Sequence, residues 1–396
     1  MRALTVLLLA SLVLADPPPR PGYLGAGLAD AEGGVQLTRV LDGSPAAAAG
    51  LRPGDLLVRF GEHEVKDISA LVTMIRDAGE GAKIDLVVVR GGERTTVALT
   101  LGVNPQLLLE EHDPAMPPVR IEKDLSYAPA DATPHERHKL NLFLPQAEGK
   151  FPIVLWIHAG AWSYGDRAQD TALAMRFAER GIGFAPMSYR LSSKAWNEPD
   201  APKEGVRHPA HAEDCALAFA WLKKRFPGHP LFLAGHSCGA HLGALLGADP
   251  RYLAAHGLGL KDVAGVIAVG GGYDLVKYHA ILADGIDGEP GLGKEKADAH
   301  LIFIFGDTVE DWIAASPTTY LEGCATPMLI VGERGASMRR YTQDFEEAVK
   351  AAGVTTIRFR YADDRTHAES TPLMSRKSGD PIRDEAIAFI REHAAR

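Results

Sequence analysis

The run Leu231-Phe232-Leu233-Ala234-Gly235-His236-Ser237-Cys238-Gly239-Ala240 decides the fold. Leu231 to Ala234 read as a short buried strand, and a helical pattern begins near Ala240. Between them stands the pattern G-x-S-x-G. A serine on so sharp a strand-to-helix turn is held in a strained conformation that exposes its hydroxyl above the sheet. The flanking positions must be tiny because strand and helix cross there. In a chain with 41 glycines the pattern alone is weak. Placed between a strand and a helix it becomes specific, and it makes Ser237 the candidate nucleophile.

Outward from this turn, apolar β-type runs alternate with helical stretches. The runs are Ile153 to Ile157, Gly183 to Ser188, Leu231 to Ala234, Val263 to Val269, Met328 to Val331 and Ile357 to Tyr361. Helical periodicity falls between them, as in Ala210 to Arg225 and Arg339 to Ala352. Strand-helix alternation predicts an α/β fold with a doubly wound, mostly parallel sheet over residues 119–396. Residues 192–208 and 277–300 read as long irregular insertions near the mouth of the site. No internal repeat is evident.

Acyl transfer needs donors for an oxyanion and a base for the nucleophile. The strand Ile153 to Ile157 ends in His158-Ala159-Gly160-Ala161-Trp162. The backbone N–H of Gly160 or Ala161 would act beside that of Cys238, with His158 organising the loop rather than serving as base. The base should follow the nucleophile and lie after the last strand. His367 stands there, ahead of a last helix from about Asp380 to Ala394.

These residues carry a resemblance. The stretch His158 to Trp162 with Gly165-Asp166 is similar to the H-G-G-x-W loop of esterases. With Ser188-Tyr189-Arg190-Leu191, His208-Pro209-Ala210, Asp214, Ala218, Trp221-Leu222, Gly235 to Leu242, Ser316-Pro317 and Thr326-Pro327, it resembles the hormone-sensitive-lipase-like and feruloyl-esterase-like (BD-FAE-like) branch of the α/β-hydrolases, which includes kynurenine formamidase. The chain departs from it at Ala159, at Asn141 where aspartate is common, and at the acid. The resemblance implies an aspartate after the penultimate strand. Here that loop reads Gly332-Glu333-Arg334-Gly335-Ala336, and Glu333 is its one carboxylate. Glutamate can serve, since the acid only orients the imidazole and stabilises its cation. Asp274, after the strand Val263 to Val269, is the alternative acid. Asp363 and Asp364 read as solvated.

Residues 21–103 are different in kind. Short β-type runs, Val35 to Val40, Ile84 to Arg90 and Thr95 to Leu101, alternate with glycine turns. One amphipathic helix carries Ile68, Leu71, Val72 and Ile75, with Asp67 or Ser69 able to cap it. The runs Gly22-Tyr23-Leu24-Gly25-Ala26, Gly43-Ser44-Pro45-Ala46 and Ala49-Gly50-Leu51-Arg52-Pro53-Gly54-Asp55 resemble a bacterial PDZ domain of the kind attached to periplasmic serine proteases. The resemblance implies that Tyr23, Leu24, Gly25 and Ala26 form the loop that holds a peptide's terminal carboxylate, the peptide adding as a strand. Residues 104–118 end in Asp113-Pro114-Ala115-Met116-Pro117-Pro118, a stiff spacer and the predicted boundary.

Carboxylates outnumber bases, 51 to 42, for a net charge of −9. Without a basic run, that balance argues against nucleic acid and anionic membrane surfaces as partners. Residues 1–15 combine Met1-Arg2, an apolar run from Ala3 to Leu14, and small residues at Val13 and Ala15. This is the pattern of a secretory signal, too short to be a stable membrane span. The expectation is an exported protein, periplasmic or secreted. The three cysteines, Cys215, Cys238 and Cys324, are too few and too widely spaced for a disulfide framework or a zinc site.

The sequence therefore predicts a serine carboxylesterase acting on small acyl or aryl esters by ping-pong acyl transfer, without metal or organic cofactor. The PDZ module would dock a peptide or partner. Two rivals stand beside it: an amide hydrolase of formamidase or peptidase type, and a non-enzymatic binding protein, the latter suggested by the missing aspartate.

Overall fold

The computed structural model describes residues 22–41, 44–103, 112–129 and 135–395. The candidate signal (1–15) and residues 104–111 of the spacer lie outside them. The chain divides into two compact units, residues 1–108 and 109–396.

The first unit contains β1 (Gly22–Tyr23), β2 (Ala26–Ala31), β3 (Gly34–Val40), β4 (Leu56–Phe60), β5 (His63–Glu64), β6 (Lys83–Arg90), β7 (Glu93–Thr100) and β8 (Gly102–Val103). Strands β2-β3-β4-β6-β7 form one antiparallel path, and β1 pairs with β8. The helix Ile68–Ala78 begins at Asp67, whose side chain accepts from the Ala70 amide. Its Leu71 and Ile75 are buried in a core with Val35, Leu37, Leu57 and Leu86. Val72 lies on the outer face instead, 46% exposed.

The second unit is built on β9 (Val119–Ser126), β10 (Lys139–Pro145), β11 (Ile153–Ile157), β12 (Gly183–Met187), β13 (Leu231–His236) and β14 (Val263–Val269). A small hairpin, β15 (Gly285–Ile286) with β16 (Glu289–Pro290), precedes β17 (Met328–Arg334) and β18 (Ile357–Thr366). The sheet order is β18-β17-β14-β13-β11-β12-β10-β9. From β12 to β18 all pairs are parallel, while β9 and β10 add an antiparallel edge.

Side chains alternate across this sheet, as strand geometry requires. Ile153, Leu155 and Ile157 of β11 enter one core with Ala212, Phe219 and Leu242 of the helices Ala210–Arg225 and Cys238–Ala248. Val154 and Trp156 enter the other, with Leu173 and Phe177 of Thr171–Ala178 and Ile387 and Ile390 of Pro381–Ala394. Helices on both faces make this a doubly wound sheet, with β13 and its serine turn in the middle. All three cysteines are buried and free.

Residues 277–300 are not the irregular insertion the sequence suggested. They form most of two helices, Leu275–Asp284 and Lys294–Ile304, joined by the β15–β16 hairpin. Glycines at both hairpin corners broke the helical periodicity and hid the helices.

Candidate active site

Ser237 sits between β13 and the helix Cys238–Ala248 with φ 57° and ψ −122°, the strained turn foreseen from its motif. The flanking glycines are sterically required. A β-carbon at Gly235 would stand 2.4 Å from the Gly239 carbonyl carbon, and one at Gly239 would stand 2.0 Å from the Ile157 oxygen.

The Ile157 neighbourhood leads into the loop facing the serine. Gly160, Ala161 and Trp162 all have positive φ, at 130°, 49° and 56°. A β-carbon at Gly160 would collide with the Tyr164 oxygen at 2.3 Å. Among the described residues the amides of Gly160, Ala161 and Cys238 have no backbone carbonyl partner. The buried Cys238 sulfur faces the amides of Ala161 and Trp162 and lies 3.4 Å from the Tyr189 hydroxyl, so it braces this loop. Burial raises the thiol's pKa, and these hydrogen bonds only partly offset that. His158 organises the loop: its Nδ1 is 2.7 Å from the Ala159 oxygen and its ring stacks on Tyr189 at 4.3 Å. Burial lowers its pKa to about 4.

Glu333 is the penultimate residue of β17, paired with Ala362 of β18, rather than a loop residue. His367 follows the end of β18. The structure brings the two together, with His367 Nδ1 2.5 Å from Glu333 Oε2. Glu333 is only 1% exposed. Burial alone would raise its pKa, but hydrogen bonds from His236 and His367, with the charge of both imidazoles, hold it down at about 2. It is therefore a carboxylate at neutral pH. The side chain of His367 is 36% exposed, open to the solvent side of the site. Among the described residues the Ser237 hydroxyl makes no hydrogen bond, a common state in hydrolases without substrate, where such bonds tighten on binding.

Asp274 is not brought to His367. It is the N-cap of the helix Leu275–Asp284, accepting from the amides of Val276 and Lys277 at 3.2 and 3.1 Å. Asp363 pairs with Arg339 and Asp364 with Arg365. Asn141, where aspartate was the commoner residue, accepts from the Asp124 amide at 2.9 Å, a role either residue can fill.

Two site residues carried no role in the sequence reading. His236 places Nε2 3.2 Å from Glu333 Oε1. It was in plain view as the x of the motif, but motif spacing assigns that position no chemistry. Gly270, just past β14 with φ 63°, lies against the carboxylate. Its only signal was the run Gly270-Gly271-Gly272.

In the first unit Tyr23 closes β1 and Ala26 opens β2, with Leu24 and Gly25 (φ 77°) between them. The Leu24 and Gly25 carbonyls accept from Ala46 and Leu41, while the amides of Leu24 and Gly25 have no backbone carbonyl partner among the described residues.

A serine elbow, an amide-bearing loop and a histidine-carboxylate pair on a doubly wound sheet define an α/β-hydrolase. Residues 140–343 match the BD-FAE family, and the chain belongs to it; residues 22–101 match the PDZ domain. Among curated proteins, isoprenylcysteine alpha-carbonyl methylesterase of Arabidopsis thaliana is 26% identical over 183 residues, 42% of this chain and 41% of that protein. A probable periplasmic serine endoprotease DegP-like of Hahella chejuensis is 36% identical over 72 residues, 18% of this chain and 15% of that one. The chain thus spans less than half the length of either relative. The fold is shared with esterase B of Lactobacillus rhamnosis, at TM-score 0.56 and 20% identity over 74% of this chain and 90% of that one. It is shared too with a bacterial heroin esterase, at TM-score 0.52 and 18% identity over 73% and 88%. Among the described residues no helix is long and apolar enough to cross a membrane.

Proposed function

We propose that this chain is an exported serine carboxylesterase acting on small acyl or aryl esters. The observation that carries the reading is the Glu333–His367 hydrogen bond beside the strained Ser237 turn. His367 takes the Ser237 proton as the hydroxyl attacks the ester carbonyl. The amides of Cys238 and Gly160 hold the oxyanion, the Ala161 amide being turned to the Cys238 sulfur. His367 then returns the proton to the departing alcohol, and water releases the acyl group by the same steps in reverse. Glu333 stays ionised throughout, orients the ring and stabilises its cation. These steps use only side chains and backbone amides.

The non-enzymatic reading rested on the missing aspartate, and the carboxylate beside His367 favours the esterase instead. The test is a panel of short and long acyl and aryl esters, run beside the corresponding amides, on the purified chain and on Ser237→Ala. The parent should hydrolyse esters, bind a fluorophosphonate at Ser237, and lose roughly several orders of magnitude in turnover on substitution. Unlabelled Ser237, or near-parent turnover in the alanine variant, overturns the assignment. Activity on amides alone moves the chain to the formamidase or peptidase class.

The amides of Leu24 and Gly25, which have no backbone carbonyl partner among the described residues, support a second element of the proposal, that the first unit binds a peptide's C-terminus. A fluorescent peptide library with free C-termini should show binding that amidation of the terminus abolishes. Equal binding of both forms would refute it.

A further inference from the structure

We propose that His236 is a positioning residue: it holds the free oxygen of Glu333, so that His367 is oriented by a carboxylate gripped at both ends. The inference rests on the catalytic reading above and deepens it.

An aspartate in an ordinary triad is held by a short tether. Glutamate adds a methylene and one more rotatable bond, so its carboxylate plane needs fixing. Here Oε2 faces His367 Nδ1 at 2.5 Å and Oε1 faces His236 Nε2 at 3.2 Å. An ionised carboxylate only accepts, so each of these nitrogens must carry the hydrogen. The two imidazoles lie against each other, 4.4 Å apart centre to centre, and each reaches one oxygen of the carboxylate they share. They come from different elements, His236 from the end of β13 and His367 from beyond β18, and the acid comes from β17. Three strand ends thus converge on one carboxylate.

The end of the site away from His367 is also buried. Glu333 is almost wholly buried and His236 is 6% exposed. Were His236 absent, Oε1 would be left without a donor in a desolvated place, where an unsatisfied acceptor is costly. Behind His236 lies a second buried carboxylate, Asp170, held by Trp156 Nε1 at 2.7 Å and within electrostatic reach of the ring. The order Asp170, His236, Glu333, His367 alternates acid and imidazole up to the reactive serine. Glu333, His367 and Asp170 are the titratable groups that face His236.

The experiment compares His236→Gln with His236→Leu in the full chain. Glutamine can present an N–H where Nε2 stood, while leucine fills similar space with no donor. His236→Leu should lower kcat roughly tenfold to hundredfold with KM nearly unchanged, and His236→Gln should recover most of the loss. Freed from sharing, Glu333 would raise the basicity of His367. The acid limb of kcat/KM should therefore move to higher pH in the leucine variant, and less in the glutamine one. A second readout needs no turnover: the far-downfield proton NMR signal of the His367 Nδ1–H should persist in His236→Gln and shift or broaden in His236→Leu. If the leucine variant does not fold, His236→Asn, polar but too short to reach Glu333, takes its place with the same expectation. Parent-like kcat, pH profile and NMR signal in the donor-less variant overturn the proposal. Failure of the catalytic reading looks different: Ser237 would resist fluorophosphonate, while the NMR comparison would still report on His236.

Discussion

A β-carbon on Gly270 would stand 2.2 Å from Oε2 of Glu333. The longer acid therefore occupies a niche that exists only because residue 270 has no side chain. The backbone there, at φ 63°, also favours glycine, so two costs must be separated. Gly257 supplies the control, with φ 71° and nothing within 4 Å of where its β-carbon would be. Gly257→Ala should cost about 1 kcal/mol of stability, as measured by thermal or urea unfolding, and leave ester turnover intact. Gly270→Ala should lower turnover at least about tenfold beyond any such stability loss, since the carboxylate must swing away from His367. Equal activity in the two variants would show that the niche does not matter.

The identity of the acid can be tested against its rival. Glu333→Gln keeps the shape but removes the charge that stabilises the His367 cation, so turnover should fall about a hundredfold or more. Asp274→Asn should be nearly silent in turnover. It alters only a helix cap, where asparagine serves about as well as aspartate. Steady-state rates of both variants on one activated ester decide the matter. A crippled Asp274→Asn beside an active Glu333→Gln would reverse the assignment.

Much of this site could be read from the sequence because it lies on strand ends. The parallel strands are short apolar runs, and β11 and β14 match them residue for residue. Ser237 was read from its motif between such a run and a helix, and His367 from its place after the last run. The antiparallel edge was missed. The β9 strand is largely exposed, which leaves no apolar run, and Asn141 interrupts the pattern of β10. Glu333 was a candidate acid beside Asp274, but its contact with His236 and its niche at Gly270 were not read. Those are contacts between ends of β13, β14 and β17, and no local pattern records which strands become neighbours.

The two compact units divide at residues 108 and 109, and each has a core of its own. A chain beginning at Pro118 retains every strand of the larger sheet. It should be soluble and hydrolyse a small activated ester within about threefold of the full chain, since independent sites combine nearly additively. Gel filtration and initial rates check this. Aggregation of the shortened chain would show that the PDZ unit completes the enzyme's packing.

The hydrolase unit should lose stability steeply on mild acidification, and buried histidines give the reason. His158, His211, His241 and His300 are at most 1% exposed, and His208 is half-buried. Each has one ring nitrogen without a hydrogen-bond partner among the described residues, so none can satisfy a second proton. Burial lowers His158 and His208 to about 4, and His211, His241 and His300 to about 3. Unfolded, each titrates near 6.5. Above that pH the rings are neutral in both states and contribute nothing to the balance. As pH falls below it, the unfolded chain binds protons that the folded chain refuses, and stability drains until the folded values near 4 and 3 are passed. Each ring contributes to the fall in that window, and five of them together make it steep. The thermal midpoint should be flat from pH 8 to 7 and fall sharply between pH 6 and 5. Replacing one of the rings by a group that does not titrate, as in His300→Gln, should reduce the slope by about a fifth. A midpoint that stays level down to pH 5 would mean that these histidines gain protons without unfolding the chain.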